Sequence, residues 1–287
     1  MSSFIKIDSG DLVQNNLNNS WRYSFPGSSA NFNNVEAAIQ SISLFNSEYN
    51  IDSVFNNKSF KLEVPTAATT STLSINLPDG YYSYTDINRV IQTTLVNAGA
   101  YLINADGDNV FYIQLVENSV YYSAQLDFSP TPTTLPASFT RPATGLYSTG
   151  GTGLPTTTRV PRIIIDNADF GKVVGLSVGT YPAASSTTAS SQLSNTIPQI
   201  HPSSSYVVRC DLIKNDYVPS GDIIAAFDRG SAKIGQLITY KPSQYAWINC
   251  HNGNRSSITI SIYNQNDEPI HFRDTSVSIM LLLRQKK

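Results

Sequence analysis

An all-β fold class is predicted for this 287-residue chain by three observations. Apolar and polar residues alternate at period two through most of the segments that are not loops. Stretches rich in Ser, Thr, Asn, Pro and Gly separate those segments. Only one clear stretch repeats its apolar residues at helical spacing. Period-two alternation marks antiparallel sheets with one face on a core and the other in water.

The helix is the best-defined element. It follows Leu77-Pro78-Asp79-Gly80-Tyr81-Tyr82-Ser83-Tyr84-Thr85-Asp86-Ile87-Asn88, and Ile87, Val90, Ile91 and Leu95 then recur one turn apart. Ser83 and Asp86 are spaced as a capping box, in which hydroxyl and carboxylate satisfy amides that the first turn leaves unpaired. Gly99 suits the left-handed residue that ends such a helix.

The strands follow in order. Residues 35–46 change parity: Val35, Ala37 and Ile39 share one face while Ile42 and Leu44 share the other, which predicts a bulge near Gln40-Ser41. Phe60, Leu62 and Val64, then Leu73, Ile75 and Leu77, give two cleaner strands. After the helix, Asp106-Gly107-Asp108 reads as a turn into a strand carrying Phe111, Ile113 and Leu115, with residues 121–128 as its partner. Residues 129–158 and 183–196 are loop-like, 162–166 a short strand, and 170–175 a compact turn or single helical turn.

Regular strands resume at 204, with Tyr206, Val208, Cys210 and Leu212 on one face. Shorter strands at 222–227, 234–240 and 245–249 precede Ile258, Ile260 and Ile262. In the last strand Val277, Ile279, Leu281 and Leu283 alternate with Ser278, Met280, Leu282 and Arg284. Apolar residues on both of its sides place it centrally in a sheet or at a subunit contact.

Three strands before the helix and about five after 204 make eight, the number of a single antiparallel jelly roll. The predicted organisation is therefore a polar amino-terminal arm at 1–20, a jelly-roll core from 21–78 and 204–287, and an inserted, mostly-β region at 79–203 that carries the α-helix.

Charged residues are 14% of the chain, against about 25% in ordinary soluble domains. The formal net charge of −2 gives no electrostatic reason to expect specific nucleic-acid binding. The Lys286-Lys287 end reads as solvated. No apolar run approaches the roughly 18 residues of a membrane span, and the start lacks the apolar region of a secretory signal. Cys210 and Cys250 are the only cysteines, too few for a disulfide framework or a zinc site, and are expected to be reduced. Glycosylation sequons at Asn18, Asn57 and Asn254 are expected to be idle.

Constellations for catalysis fail on inspection. His201, His251 and His271 stand in no nucleophile motif, and Glu36, Glu48, Glu63, Glu117 and Glu268 form no recognisable carboxylate pair. Asp106-Gly107-Asp108-Asn109 lacks the twelve-residue calcium loop, and Gly150-Gly151-Thr152-Gly153 lacks the Lys-Ser/Thr of a phosphate loop. No enzyme, metal or cofactor is expected. Tyrosine is the residue in excess, at sixteen copies. Tyr81, Tyr82, Tyr84, Tyr121, Tyr122 and Tyr147 are candidates for a contact surface, since one ring supplies apolar area and a polar tip. Half-buried strand tyrosines are the competing reading.

Five segments stand in order along the chain: Arg22-Tyr23-Ser24-Phe25-Pro26-Gly27-Ser28; Ser41-Ile42-Ser43-Leu44-Phe45-Asn46-Ser47-Glu48-Tyr49-Asn50-Ile51 with Asn56-Asn57-Lys58-Ser59-Phe60; Leu77 to Ser83 with Asp86-Ile87-Asn88; Gly175-Leu176-Ser177-Val178-Gly179-Thr180-Tyr181-Pro182; and Asp274 through Leu283. Taken in that order, they resemble the penton proteins of virophages and polinton-like viruses. The resemblance implies a minor capsid protein of the virion, assembled as a homopentamer at icosahedral fivefold vertices beside the major capsid protein. It also implies an insertion projecting outward. A receptor- or carbohydrate-binding β-sandwich module of a virus particle is the alternative.

Overall fold

Alternation at period two drives eight strands into two sheets that share one aliphatic interior. The computed structural model describes residues 2–286. Met1 and Lys287, and with Lys287 half of the Lys286-Lys287 end, lie outside them. The chain divides into two units, one made of the residues up to Tyr49 together with those from Pro202 onward, the other of Asn50–His201.

The first unit holds β1 (Ser2–Asp8), β2 (Ser20–Ser24), β3 (Val35–Phe45), β4 (Tyr206–Cys210), β5 (Ile223–Phe227), β6 (Leu237–Tyr240), β7 (Ser257–Asn264) and β8 (Val277–Gln285). One sheet runs β1-β8-β3-β6, with the two-residue strand Ile248–Asn249 also paired to β3, and the other β5-β4-β7-β2, with every pairing antiparallel. That order, two interlocked Greek keys, is a jelly roll. Ile5, Ile7, Ile39, Ile42, Ile279 and Leu281 from the first sheet meet Trp21, Tyr206, Val208, Ile258, Ile260 and Ile262 from the second in one cluster. Each such side chain contributes about 1.5–3 kcal/mol of burial.

The parity change in β3 is a bulge where the sequence predicts it. Met280 faces Ser41 and Leu281 faces Ile39, so Gln40 is skipped. The extra residue rotates the strand, and Ala37, Ile39, Ile42 and Leu44 all join the core. β8 is central, flanked by β1 and β3.

Two expectations of domain organisation are corrected here. The expected arm is not free: Ser2–Asp8 is the strand β1, and Ile5 and Ile7 are buried by it. The Asn-rich stretch behind it is fixed to the same unit, because Asn18 Nδ2 donates to the Phe272 carbonyl and Asn19 Nδ2 to that of Ile262. In turn, the strands Ser59–Thr66 and Thr69–Asn76 lie in the second unit, not in the roll. The count of eight is made up instead by β1 and β2.

In the second unit those two strands continue into Arg162–Ile165 and Gly179–Tyr181 as a four-stranded sheet. A three-stranded sheet is built from Ile113–Asn118, Ser123–Phe128 and Ser190–Leu193. Helix α1, Tyr84–Ala98, packs Ile87, Ile91 and Leu95 into their shared core. The region read as a compact or single helical turn is a second helix, α2, Ala168–Val174, whose Phe170 stacks on Phe60 with ring centroids 4.5 Å apart.

The cap of α1 has the expected geometry. The Asp86 amide donates to Ser83 Oγ at 3.2 Å, and the Ser83 amide to Asp86 Oδ2 at 3.1 Å. Gly99 closes the other end at φ 63°, and a β-carbon there would come within 2.2 Å of the Thr144 carbonyl oxygen. Ser83→Ala should therefore cost about 1 kcal/mol, read as a lowered melting temperature; an unchanged melt would mean that water replaces the cap without loss.

Candidate functional site

Helix, hairpin and returning chain meet in the second unit around a small notch. Asn88, buried on α1, accepts from the Leu115 amide at 3.0 Å and fixes the helix against the strand Ile113–Asn118. This holds Tyr84 near Glu117. Asn50 performs the second act of positioning: its Nδ2 donates to the carbonyls of Tyr82 and Ile200, and its Oδ1 accepts from the Tyr82 amide. Two segments distant in sequence are thereby joined, and the Tyr81 hydroxyl lies 2.5 Å from Nδ1 of His201, 120 residues further on.

Ser83, Tyr84, Glu117, Tyr122, Ser123, Pro198, Ile200 and His201 line the notch, whose volume is about 70 Å³. Tyr84 is only 5% exposed and makes no hydrogen bond through its hydroxyl among the described residues. Burial, and then the nearby Glu117 and Tyr122, push its pKa up to about 12. Glu117 is exposed and has no ion pair among the described residues. The neighbouring helix end does not reverse this negative field, since Asp86 accepts both the hydroxyl and the amide of Ser83.

The six tyrosines of the sequence reading separate into distinct environments. Tyr121 and Tyr122, 67% and 65% exposed, sit with Val120 at the tip of the hairpin between Asn118 and Ser123. Tyr81 and Tyr82 are half-buried, and the Tyr82 hydroxyl donates to the Pro78 carbonyl. Tyr84 is buried but lines the notch, and Tyr147 is not a surface residue. Tyr147 is buried, with its hydroxyl donating to the Pro65 carbonyl at 2.9 Å, and burial drives its pKa upward. It is a core residue, because a loop that carries it folds back over the sheet end.

The other polar candidates are scattered. His251 is exposed and His271 buried, at different places in the roll. No cluster of three or more His, Cys, Asp or Glu side chains poised for a metal ion exists among the described residues. Cys210 and Cys250 are free and buried, and burial raises both pKa values to about 12, which keeps them protonated and unreactive. No helix among the described residues is long and apolar enough to cross a membrane. Sequence reasoning missed Asn50 and Asn88. Nothing in the residues beside a lone Asn, Tyr49 and Ile51 for Asn50 or Ile87 and Arg89 for Asn88, distinguishes a buried clasp from a turn.

No protein-family model matches the sequence, and no curated protein matches it. Among solved structures, the chain is similar to the crystal structure of selenomethionine-labelled mavirus penton protein. The overlap covers 99% of this chain and 97% of that one, at 11% identity and a TM-score of 0.41. The jelly-roll assignment rests on the strand order of the first unit, not on this likeness.

Proposed function

We propose that the chain is a structural capsid protein, a penton subunit forming homopentamers that close the fivefold vertices of an icosahedral virion. The observation that carries this reading is the strand order β1-β8-β3-β6 over β5-β4-β7-β2, with 152 residues (Asn50–His201) entering between β3 and β4. Jelly rolls of this kind build viral shells, and a long excursion from one corner of the roll leaves both sheets intact.

A fivefold ring needs a heterologous contact, in which two different faces of each subunit meet. The roll offers unlike flanks: β1 and β6 are the edges of one sheet, β2 and β5 of the other. Phe4 on β1 is 65% exposed and Leu237 on β6 is 53% exposed, apolar groups suited to burial by a neighbour. The major capsid protein would be the other partner in the shell, and no chemistry on a substrate is part of this role.

Native mass spectrometry of the purified chain, alone and with the major capsid protein, tests the reading. The expected species is five times the 31.4 kDa of one chain. A strictly monomeric chain, absent from purified particles, would overturn it. If that monomer attached to host cells, the receptor- or carbohydrate-binding alternative would take its place, and exposed Val120, Tyr121 and Tyr122 would be where to look.

A further inference from the structure

The Tyr84–Glu117–Tyr122 notch is built for a cation, and we propose that it receives the side-chain ammonium of a lysine presented by a partner protein. Three features of the notch select that ligand. Glu117 supplies a carboxylate with no ion pair among the described residues. The rings of Tyr84 and Tyr122 supply electron-rich walls beside it, and aromatic faces attract alkylammonium groups. The Tyr84 hydroxyl, in a residue 95% buried (5% exposed), lacks a hydrogen-bond partner among the described residues and can accept one N–H.

Size excludes the obvious competitor. A cavity of about 150 Å³ is what a benzene ring occupies in an engineered protein core. The notch has about 70 Å³, enough for an ammonium and its first methylene groups but too little to enclose a pyranose ring. A planar, forked guanidinium fits less well than a compact ammonium for the same reason. His201 also lines the notch, but its ring is already engaged by the Tyr81 hydroxyl on one nitrogen.

Exposed apolar residues that flank the notch residues in sequence favour a protein, not a free amine, as the bearer of the cation. Val120 and Tyr121, 84% and 67% exposed, adjoin Tyr122 in sequence, and Ile197, 76% exposed, adjoins Pro198. A free amine would leave these apolar groups in water, whereas residues flanking a lysine would cover them. The inference does not rest on the capsid reading, and it is tested on the isolated chain.

The full-length protein carrying isotope-labelled tyrosine would be titrated with Nα-acetyl-lysine methylamide, followed by ring signals in NMR. Saturable shifts confined to Tyr84, Tyr122 and near neighbours are expected, and the Nε-acetylated analogue should produce none. Glu117→Gln, isosteric and on an exposed position, should weaken binding about tenfold, the scale of one charge-assisted contact. The peptide acetyl-Gly-Leu-Lys-Leu-Gly-amide should bind about tenfold more tightly than the lysine amide if the rim contributes. Absence of shifts, equal response to the acetylated analogue, or indifference to Glu117→Gln would overturn the ammonium site. A peptide no tighter than the lysine amide would overturn the protein partner.

Discussion

Leu281→Asp should leave the jelly roll unfolded or close to it. Leu281 is 0% exposed at the middle of β8, where it faces Ile5 on one neighbouring strand and Ile39 on the other. The substitution removes roughly 2 kcal/mol of apolar burial and places a carboxyl group where no donor awaits it. Even if the acid takes up a proton to avoid the charge, the total should exceed about 4 kcal/mol, a large share of a domain's 5–15 kcal/mol. Leu282→Asp is the matched control, since Leu282 lies on the opposite face and is only half-buried. Urea denaturation of the two variants should show the first losing its transition and the second keeping most of it. Equal losses would mean that β8 is buried alike on both faces.

The central place of β8 was legible in the sequence because apolar residues stand on both of its sides; which of the two faces meets the core was not. The bulge in β3 and the capped helix were legible for the same kind of reason. Each is a local device whose residues lie within a few positions of one another, and local geometry alone demands them. Asn19, Asn50 and Asn88 show the opposite case. Their hydrogen bonds run to Ile262, Ile200 and Leu115, and no spacing rule connects such pairs.

Assignment of strands to sheets failed where two units compete for the same pattern. Phe60, Leu62 and Val64 present one apolar face, as do Ile5 and Ile7, and either pair of segments could line the roll by that criterion. What decides is partner availability. The strand Ser59–Thr66 pairs along its whole length with Thr69–Asn76, a hairpin that closes at once, and the next partner Arg162–Ile165 belongs to the same unit. β1 has no nearby partner and finds β8 at the far end of the chain. The Asn-rich stretch after Asp11 masked that strand by lending the whole amino terminus a disordered composition. Among the candidate tyrosines, Tyr121 and Tyr122 were legible as exposed residues because a hairpin tip has little to bury them. Tyr147 was not, because its loop folds inward to reach the Pro65 carbonyl.

Glu48→Gln should stabilise the roll in mildly alkaline buffer and leave it unchanged in acid. Glu48 follows β3, is 7% exposed, and its backbone bridges to Phe272. Ser203 Oγ donates to its Oε1 at 2.5 Å, while Arg229 attracts the carboxylate from further away. Those two favour the charged form, but burial outweighs them and pushes the pKa from 4.5 up to about 7. A raised folded-state value means that the folded chain binds the proton more tightly than the unfolded one. The associated stability is fully present below about pH 4.5 and is lost as pH rises through about 7. Two to three pH units at about 1.4 kcal/mol each give about 3 kcal/mol across that window. Glutamine keeps an acceptor for the Ser203 hydroxyl and cannot ionise, so the variant should gain about 3 kcal/mol over the native chain at pH 8 and almost nothing at pH 4.5. Denaturant midpoints from pH 4.5 to 8.5 check this directly. Parallel curves for the two proteins would show that Glu48 keeps its charge in the fold, with Arg229 and Ser203 overcoming the cost of burial. A native curve that falls toward pH 8 while the variant stays level would place a proton on a carboxyl beside Tyr49 and Pro202, the residues at which the chain leaves and rejoins the roll.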